Sequence, residues 1–258
     1  DFNKKPPVSS STCRSYPEAN FKKADYIQAV KKAKDYIGRG DIYQVNLSQK
    51  FSAKNNLAAA EVFSLLRKTS PACFSAYLDA GDFQIISSSP ERFLSLKNRL
   101  VHTRPMKGTR PRRLDYNEDK KMEKELLDSV KDRAELMMIV DLMRNDLGRV
   151  CDYSSIKAKS LRNLERYNTV FQTTADIEGI LHKDKDAIDL IRASFPGGSI
   201  TGCPKIRAME IIHELEPGRR EAEKIEKIAA KLLGGLENTF DGAIPDLKLI
   251  QAQAANVK

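Results

Sequence analysis

Between residues 25 and 37 the chain reads "DYIQAVKKAKDYI", with Ile27, Val30, Ala33 and Ile37 at three- and four-residue intervals. That spacing predicts an amphipathic helix burying those four side chains, stopped by Gly38 and Gly40. In "DIYQVNLSQKF" (41–51) Ile42, Val45 and Leu47 are set against polar neighbours, which predicts a strand. A short helix follows near 58–68. The stretch from Cys73 to Thr103 reads as strands with tight turns at Ala80–Asp82 and Lys97–Asn98. Helical spacing returns over about 115–128 and 130–146, a strand over 170–181 and a helix near 185–193. A Gly/Pro-rich loop then feeds a last helix within 195–216. Strands come in runs with helices between them, and there is no βαβ alternation. The pattern predicts an α+β fold of mostly antiparallel sheets with flanking helices.

Composition narrows the function classes. With 258 residues, 41% hydrophobic and 31% charged, the chain reads as an ordinary globular protein of one large or two small domains. No apolar run approaches the roughly 18–20 residues of a membrane helix, and the N-terminus has no signal-like apolar core. The first 21 residues read as a polar lead-in. Cys13, Cys73, Cys151 and Cys203 show no metal-site spacing, which fits reduced thiols in a cytoplasmic protein. Three histidines, none spaced as a metal pair, argue against a histidine zinc site. The net charge of +9 suits either nucleic acid or a small polyanionic substrate. Acids and bases alternate in "NEDKKMEKELLDSVKDRAE", the pattern of a solvated helix face, and charge alone leaves both options open.

Three segments carry candidate chemistry. In "FPGGSITGCPKIRAMEII" the glycines permit close backbone approach, and the helix start behind them can receive a carboxylate or phosphate. The same composition fits a tight turn that merely starts a helix. The spacing is neither that of a P-loop nor of a dinucleotide fingerprint. In "KDRAELMMIVDLMRNDLGRV" Asp132 and Glu135 share a helix face, as Mg²⁺ ligands or as a solvated acidic pair. Asp141, Arg144, Asn145 and Asp146 close the apolar run "LMMIVDLM" and predict an internal ion-pair and capping network. Glu91 and Lys107 stand at the ends of two strands of one hairpin, where their side chains can meet. Desolvation there would favour the neutral, nucleophilic amine.

Together "GDIYQVNLSQKF", "SSPERFL", "TRPMKGTRPR", "KDRAELMMIVDLMRNDLGRV" and "FPGGSITGCPKIRAMEIIHELEP" resemble, in order, the chorismate-utilising enzyme family. The resemblance runs from about 22 to 220 and implies the chorismate-binding fold of anthranilate synthase component I. Relative to that family the chain is incomplete at both ends. Residues 22–220 form the expected chorismate-binding domain and 221–258 a helical tail that does not match. Within the family "PMKGT", with lysine rather than alanine at 107, and Asn46 in "YQVNLS" side with the aminodeoxychorismate branch over the anthranilate branch.

The resemblance implies amination of chorismate at C4, with ammonia supplied by a glutamine amidotransferase partner and neither nucleic acid nor membrane as a partner. It implies Lys107 as the nucleophile at C2 and Glu91 as the general acid for the departing hydroxyl. Mg²⁺ falls to Glu135 and, more weakly, Asp132. Gly198, Ser199, Thr201, Gly202 and Lys205 form the substrate-binding loop. Gln172 replaces a histidine common in the family and Leu136 replaces a His or Asn. An anthranilate synthase, or an inactive member that only binds a partner, are the other implied readings.

Overall fold

The computed structural model describes residues 16–218 and 220. Most of the lead-in and all of the expected tail, 221–258, lie outside the described residues. Part of the lead-in is already structured, since β1 (Glu18–Ala19) pairs antiparallel with β3 (Phe51–Ser52). Helix α1 spans Lys23–Gly38, β2 is Gln44–Val45, and α2 is Ala59–Thr69. Strands β4 (Ala76–Asp79) and β5 (Gln84–Ser87) form a separate hairpin. Then come β6 (Arg92–Lys97), β7 (Leu100–Arg104) and β8 (Met106–Pro111), helices α3 (Tyr116–Asp128) and α4 (Val130–Gly148), β9 (Lys157–Arg166) and β10 (Val170–Ile180). Helix α5 (Ala187–Ser194), β11 (Gly202–Cys203) and α6 (Lys205–Leu215) complete the described chain. Among the described residues every strand pairing is antiparallel, in line with the expected mostly antiparallel α+β fold.

Strand β10 organises the main sheet. Along one edge it pairs with β7 through Ile177–Ile180 and with β8 through Val170–Thr174, and along the other with β9. Its residues alternate, as a strand's must. Phe171, Thr173, Ala175 and Ile177 are buried on one face. Against Ala175 and Ile177 pack Leu136, Ile139, Val140, Met143 and Leu147 of α4, at the i, i+3, i+4, i+7 spacing of a helix stripe. The opposite face is polar: Asp176 takes His102 Nε2 at 3.0 Å and Asn163 Nδ2 at 2.9 Å, and Arg92 Nη1 reaches His102 Nδ1 at 2.6 Å. The α3–α4 junction is pinned twice. Ser129 Oγ accepts from Asp132 N, and Arg162 donates to the carbonyls of Leu126 and Ser129.

Four expectations change. Helix α1 forms as predicted, but it buries Ala29, Ala33 and Tyr36, leaving Ile27, Val30 and Ile37 42%, 36% and 43% exposed. Its inner face meets a small cluster of Ile42, Ala208 and Ile211, where alanines allow close approach. The expected strand 41–51 shortens to Gln44–Val45 and Phe51–Ser52, because the partner of β2 is only the two-residue β11. The hairpin turn lies one residue later, with Asn98 (φ 48°) and Arg99 (φ 65°) both left-handed, the geometry of a two-residue turn matched to strand twist. Arg99 is held there by its guanidinium, which donates to the carbonyls of Leu181, His182 and Lys185. The fourth change is β9: charged residues crowd "KAKSLRNLER", so no hydrophobic period announces it.

The expected network at "DLMRND" divides. Asp141 and Arg144 make an exposed pair at 3.4 Å. Asp146 is buried and takes its cation from Lys205 of α6, at 2.5 Å.

Candidate functional site

The "MKGT" segment folds as a strand with one irregularity. Gln172 faces Thr109 and Thr173 faces Lys107, so Gly108 has no partner on β10 and forms a β-bulge at φ +77°. A Cβ at Gly108 would stand 2.8 Å from Leu126 Cδ1 and 3.0 Å from Asp132 Cβ, so glycine answers both the backbone angle and the contact. The bulge resets the alternation of the strand. Lys107 and Arg110, three apart, both pair with residues of β10's inner face, Thr173 and Phe171, and therefore lie on the side of the sheet that α4 covers. Arg110 demonstrates this by reaching Asp132 at 3.1 Å and Glu125 at 2.8 Å. Thr173 Oγ1 donates to the Lys107 carbonyl, locking the register beside the bulge.

Glu91 precedes β6 on the same hairpin. Arg92 pairs with Arg104, which brings Glu91 to the start of β8, where Met106 N donates to Glu91 Oε1 at 3.4 Å. From the glycine loop Ser199 Oγ donates to the same oxygen at 2.6 Å. Burial pushes the Glu91 carboxyl above the usual carboxylate range, against the opposing pull of Ser199, the Met106 N–H and the charge of Lys107. The hairpin therefore does bring Glu91 and Lys107 into electrostatic reach.

A folded-state proton affinity above the unfolded one means that the folded protein binds more protons. Stability contributed by the protonated carboxyl is present at low pH and falls as pH rises from the ordinary carboxylate range through the raised value. Glu91→Gln removes that loss. Thermal unfolding is expected to show the variant gaining on the parent protein as pH is raised from 4 to 7, and a constant difference across that range would contradict the assignment.

The glycine loop is built against two elements. A Cβ on Gly198 would meet Leu142 Cδ2 of α4 at 2.4 Å, and one on Gly202 (φ +152°) would meet the Gln44 carbonyl oxygen at 2.1 Å. Around Gly202 the β2–β11 pairing extends through Tyr43 N to Cys203 O at 2.8 Å and Asn46 N to Thr201 O at 2.7 Å. Gly202→Ala, opposed both by sterics and by backbone angle, is expected to destabilise by about 3 kcal/mol or more, measured by denaturant unfolding. Asp132 and Leu142, ten residues apart on α4, touch the bulge and the loop respectively, so about 15 Å of helix links the two halves of the site.

The residues expected to touch substrate are engaged differently from one another. Thr201 Oγ1 turns back to the Gly197 carbonyl at 3.0 Å, and Ser199 bonds Glu91. Lys205 points away from the loop to Asp146 and the Ser194 carbonyl, in a structural ion pair. Helix α6 behind the loop has Pro204 at its N-cap and no side-chain cap on its first-turn N–H groups.

The two expected metal ligands are engaged differently. Asp132 is committed to Arg110, whereas Glu135 pairs, among the described residues, with Lys131 Nζ at 3.8 Å. Among the described residues no three His, Cys, Asp or Glu side chains gather as a metal cluster. Glu135 alone fits Mg²⁺, which accepts one carboxylate with waters and substrate oxygens. Sequence reasoning missed the bulge, although a glycine inside a strand pattern is its usual sign. It also missed Arg110 and Thr173, whose roles follow from that bulge.

A family description, chorismate binding enzyme, matches residues 3–222. The chain belongs to the chorismate-binding enzyme family. It is 44% identical over 216 residues to aminodeoxychorismate synthase component 1 of Bacillus subtilis, covering 84% of this chain and 45% of that protein. The same component of Salmonella typhimurium is 46% identical over 205 residues, 80% of this chain and 45% of the relative. Anthranilate synthase component 1 of Aquifex aeolicus is 42% identical over 202 residues, 78% and 41% respectively. The fold is similar to that of anthranilate synthase component I from Streptococcus pneumoniae, at a TM-score of 0.72 and 35% identity over 80% of this chain and 45% of that one. The chain thus spans less than half the length of these relatives. No helix among the described residues is long and apolar enough to cross a membrane.

Proposed function

We propose that this chain carries the nucleophile, the general acid and part of the metal and substrate sites of an aminodeoxychorismate synthase component I. The observation that carries the reading is the bulge at Gly108, which places Lys107 on the helix-covered side of the sheet that also holds Glu91 and the glycine loop. Relatives of both branches are similarly close, so identity alone does not choose between them. Lysine at 107 favours para over ortho amination, because an amine there can attack the ring where an alanine cannot.

In this reading the Lys107 amine adds at C2 of chorismate while the C4 hydroxyl leaves, protonated by Glu91 as water. Ammonia from a glutamine amidotransferase partner then adds at C4 and the lysine departs, giving 4-amino-4-deoxychorismate for the para-aminobenzoate branch of folate synthesis. Glu91 suits the first step because burial keeps its carboxyl protonated to higher pH than usual. Mg²⁺ would sit at Glu135 and supply charge for the substrate's ring carboxylate; Asp132 instead holds Arg110. The backbone N–H groups of the glycine loop and the first turn of α6 receive a substrate carboxylate.

The test is incubation with chorismate, Mg²⁺ and an ammonium salt, with the product identified by mass spectrometry. The reading predicts 4-amino-4-deoxychorismate. Anthranilate would establish the ortho branch, and unconsumed chorismate with retained amidotransferase binding would establish a partner-binding role.

A further inference from the structure

We propose that Ser199 is a positioning residue for Glu91 rather than a substrate ligand, clamping one carboxyl oxygen so that the transferable proton is carried on the other. The inference rests on the reading of Glu91 as the general acid and adds how that acid is oriented.

Two donors converge on Oε1: Ser199 Oγ at 2.6 Å and Met106 N at 3.4 Å. Neither reaches Oε2. A carboxyl whose one oxygen already accepts two hydrogen bonds holds its own proton on the remaining oxygen. The clamp is stiff at its far end as well. The Ser199 carbonyl accepts from Asn46 Nδ2 at 3.1 Å, Gly198 is wedged against Leu142, and Thr201 Oγ1 closes the turn on Gly197 O. Glu91 N in turn donates to Ser89 Oγ at 3.2 Å. The hydroxyl and the carboxyl are thus each fixed by their own backbone, which is how a supporting residue presets a catalytic group. The other charged group that acts on Glu91 is Lys107 of β8, and the clamp leaves it in place. Because Ser199 favours the ionised carboxyl while burial opposes it, the hydroxyl also limits how far burial raises the acid.

The experiment follows Glu91 itself in the full chain. Its carboxyl is titrated by carbon-13 NMR, the resonance being assigned by its loss in Glu91→Gln. In Ser199→Ala, and in Ser199→Cys, which keeps volume with a weak donor, the midpoint is expected to move up by about one pH unit. Ser199→Thr, which retains the hydroxyl, is expected to leave it unchanged. In the amination assay the pH profile of Ser199→Ala is expected to shift in the same direction, with the threonine variant near the parent profile. A midpoint that stays put or falls in folded Ser199→Ala would overturn the inference. Absence of amino product from the parent chain, with the titration shifts intact, would instead remove the amination reading and leave the clamp.

Discussion

Lys205→Met is expected to destabilise the protein by about 3–5 kcal/mol, the cost typical of removing one member of a buried ion pair. The side chains of Lys205 and Asp146 are 11% and 2% exposed, and 2.5 Å separates their charged atoms. The substitution keeps most of the apolar stem but strands a carboxylate between α4 and α6. Burial already pushes the Asp146 carboxyl upward, with Lys205 the main opposing influence. Without the lysine it rises further, so the variant relieves its strain by binding a proton. The deficit is therefore largest at neutral pH and shrinks as pH falls toward the carboxylate range, since the folded variant then binds more protons than the unfolded chain. Denaturant unfolding at several pH values checks both the size and the slope. The double variant Asp146→Leu, Lys205→Met is expected to recover most of the loss. An undiminished deficit in the double variant would mean that the lysine acts through something other than this pair.

Lys107→Ala carries the largest expected effect on activity, a loss of at least about 10³-fold in amination rate, as when a covalent nucleophile is deleted. Stability should change little, since the Lys107 side chain is only partly buried and the structural tie of this residue, from Thr173 Oγ1, is made to its backbone carbonyl. That contrast separates the two lysines that the sequence suggested for the site. One is held by a buried acid and serves the fold, while the other stands at a bulge among groups suited to chemistry. Steady-state rates with saturating ammonium, alongside unfolding curves, measure both quantities on the same preparations.

The elements legible in the sequence were those with a strong period or a clear stop. Helix α4 and strand β10 fall close to their expected positions because their apolar spacing coincides with burial, while α3, whose only buried residue is Leu126, does so with Asp115 capping its first turn. Helix α1 shows the limit of that logic, since its apolar stripe is not the face that the neighbouring elements cover. Strand β9 shows another, because backbone pairing with β10 holds a charged segment that no pattern marks. At the site, family resemblance located Glu91 and Lys107, and the hairpin geometry made their approach reasonable. It could not show that Ser199 and Met106 N share one oxygen of Glu91, nor that the ammonium of Lys205 is spent on Asp146. Those facts depend on how segments 59 and 108 residues apart close on one another, and chain-local patterns carry no trace of that.

Trapping the intermediate tests whether the Gly108 bulge delivers Lys107 as a nucleophile. The protein is incubated with chorismate and Mg²⁺ without any ammonia source, then digested and examined by mass spectrometry. A modified peptide bearing chorismate less one water on Lys107 is expected, absent in Lys107→Ala and reduced in Glu91→Gln. Formation of 4-amino-4-deoxychorismate on adding ammonium, with no adduct at Lys107 beforehand, would contradict that role for the lysine.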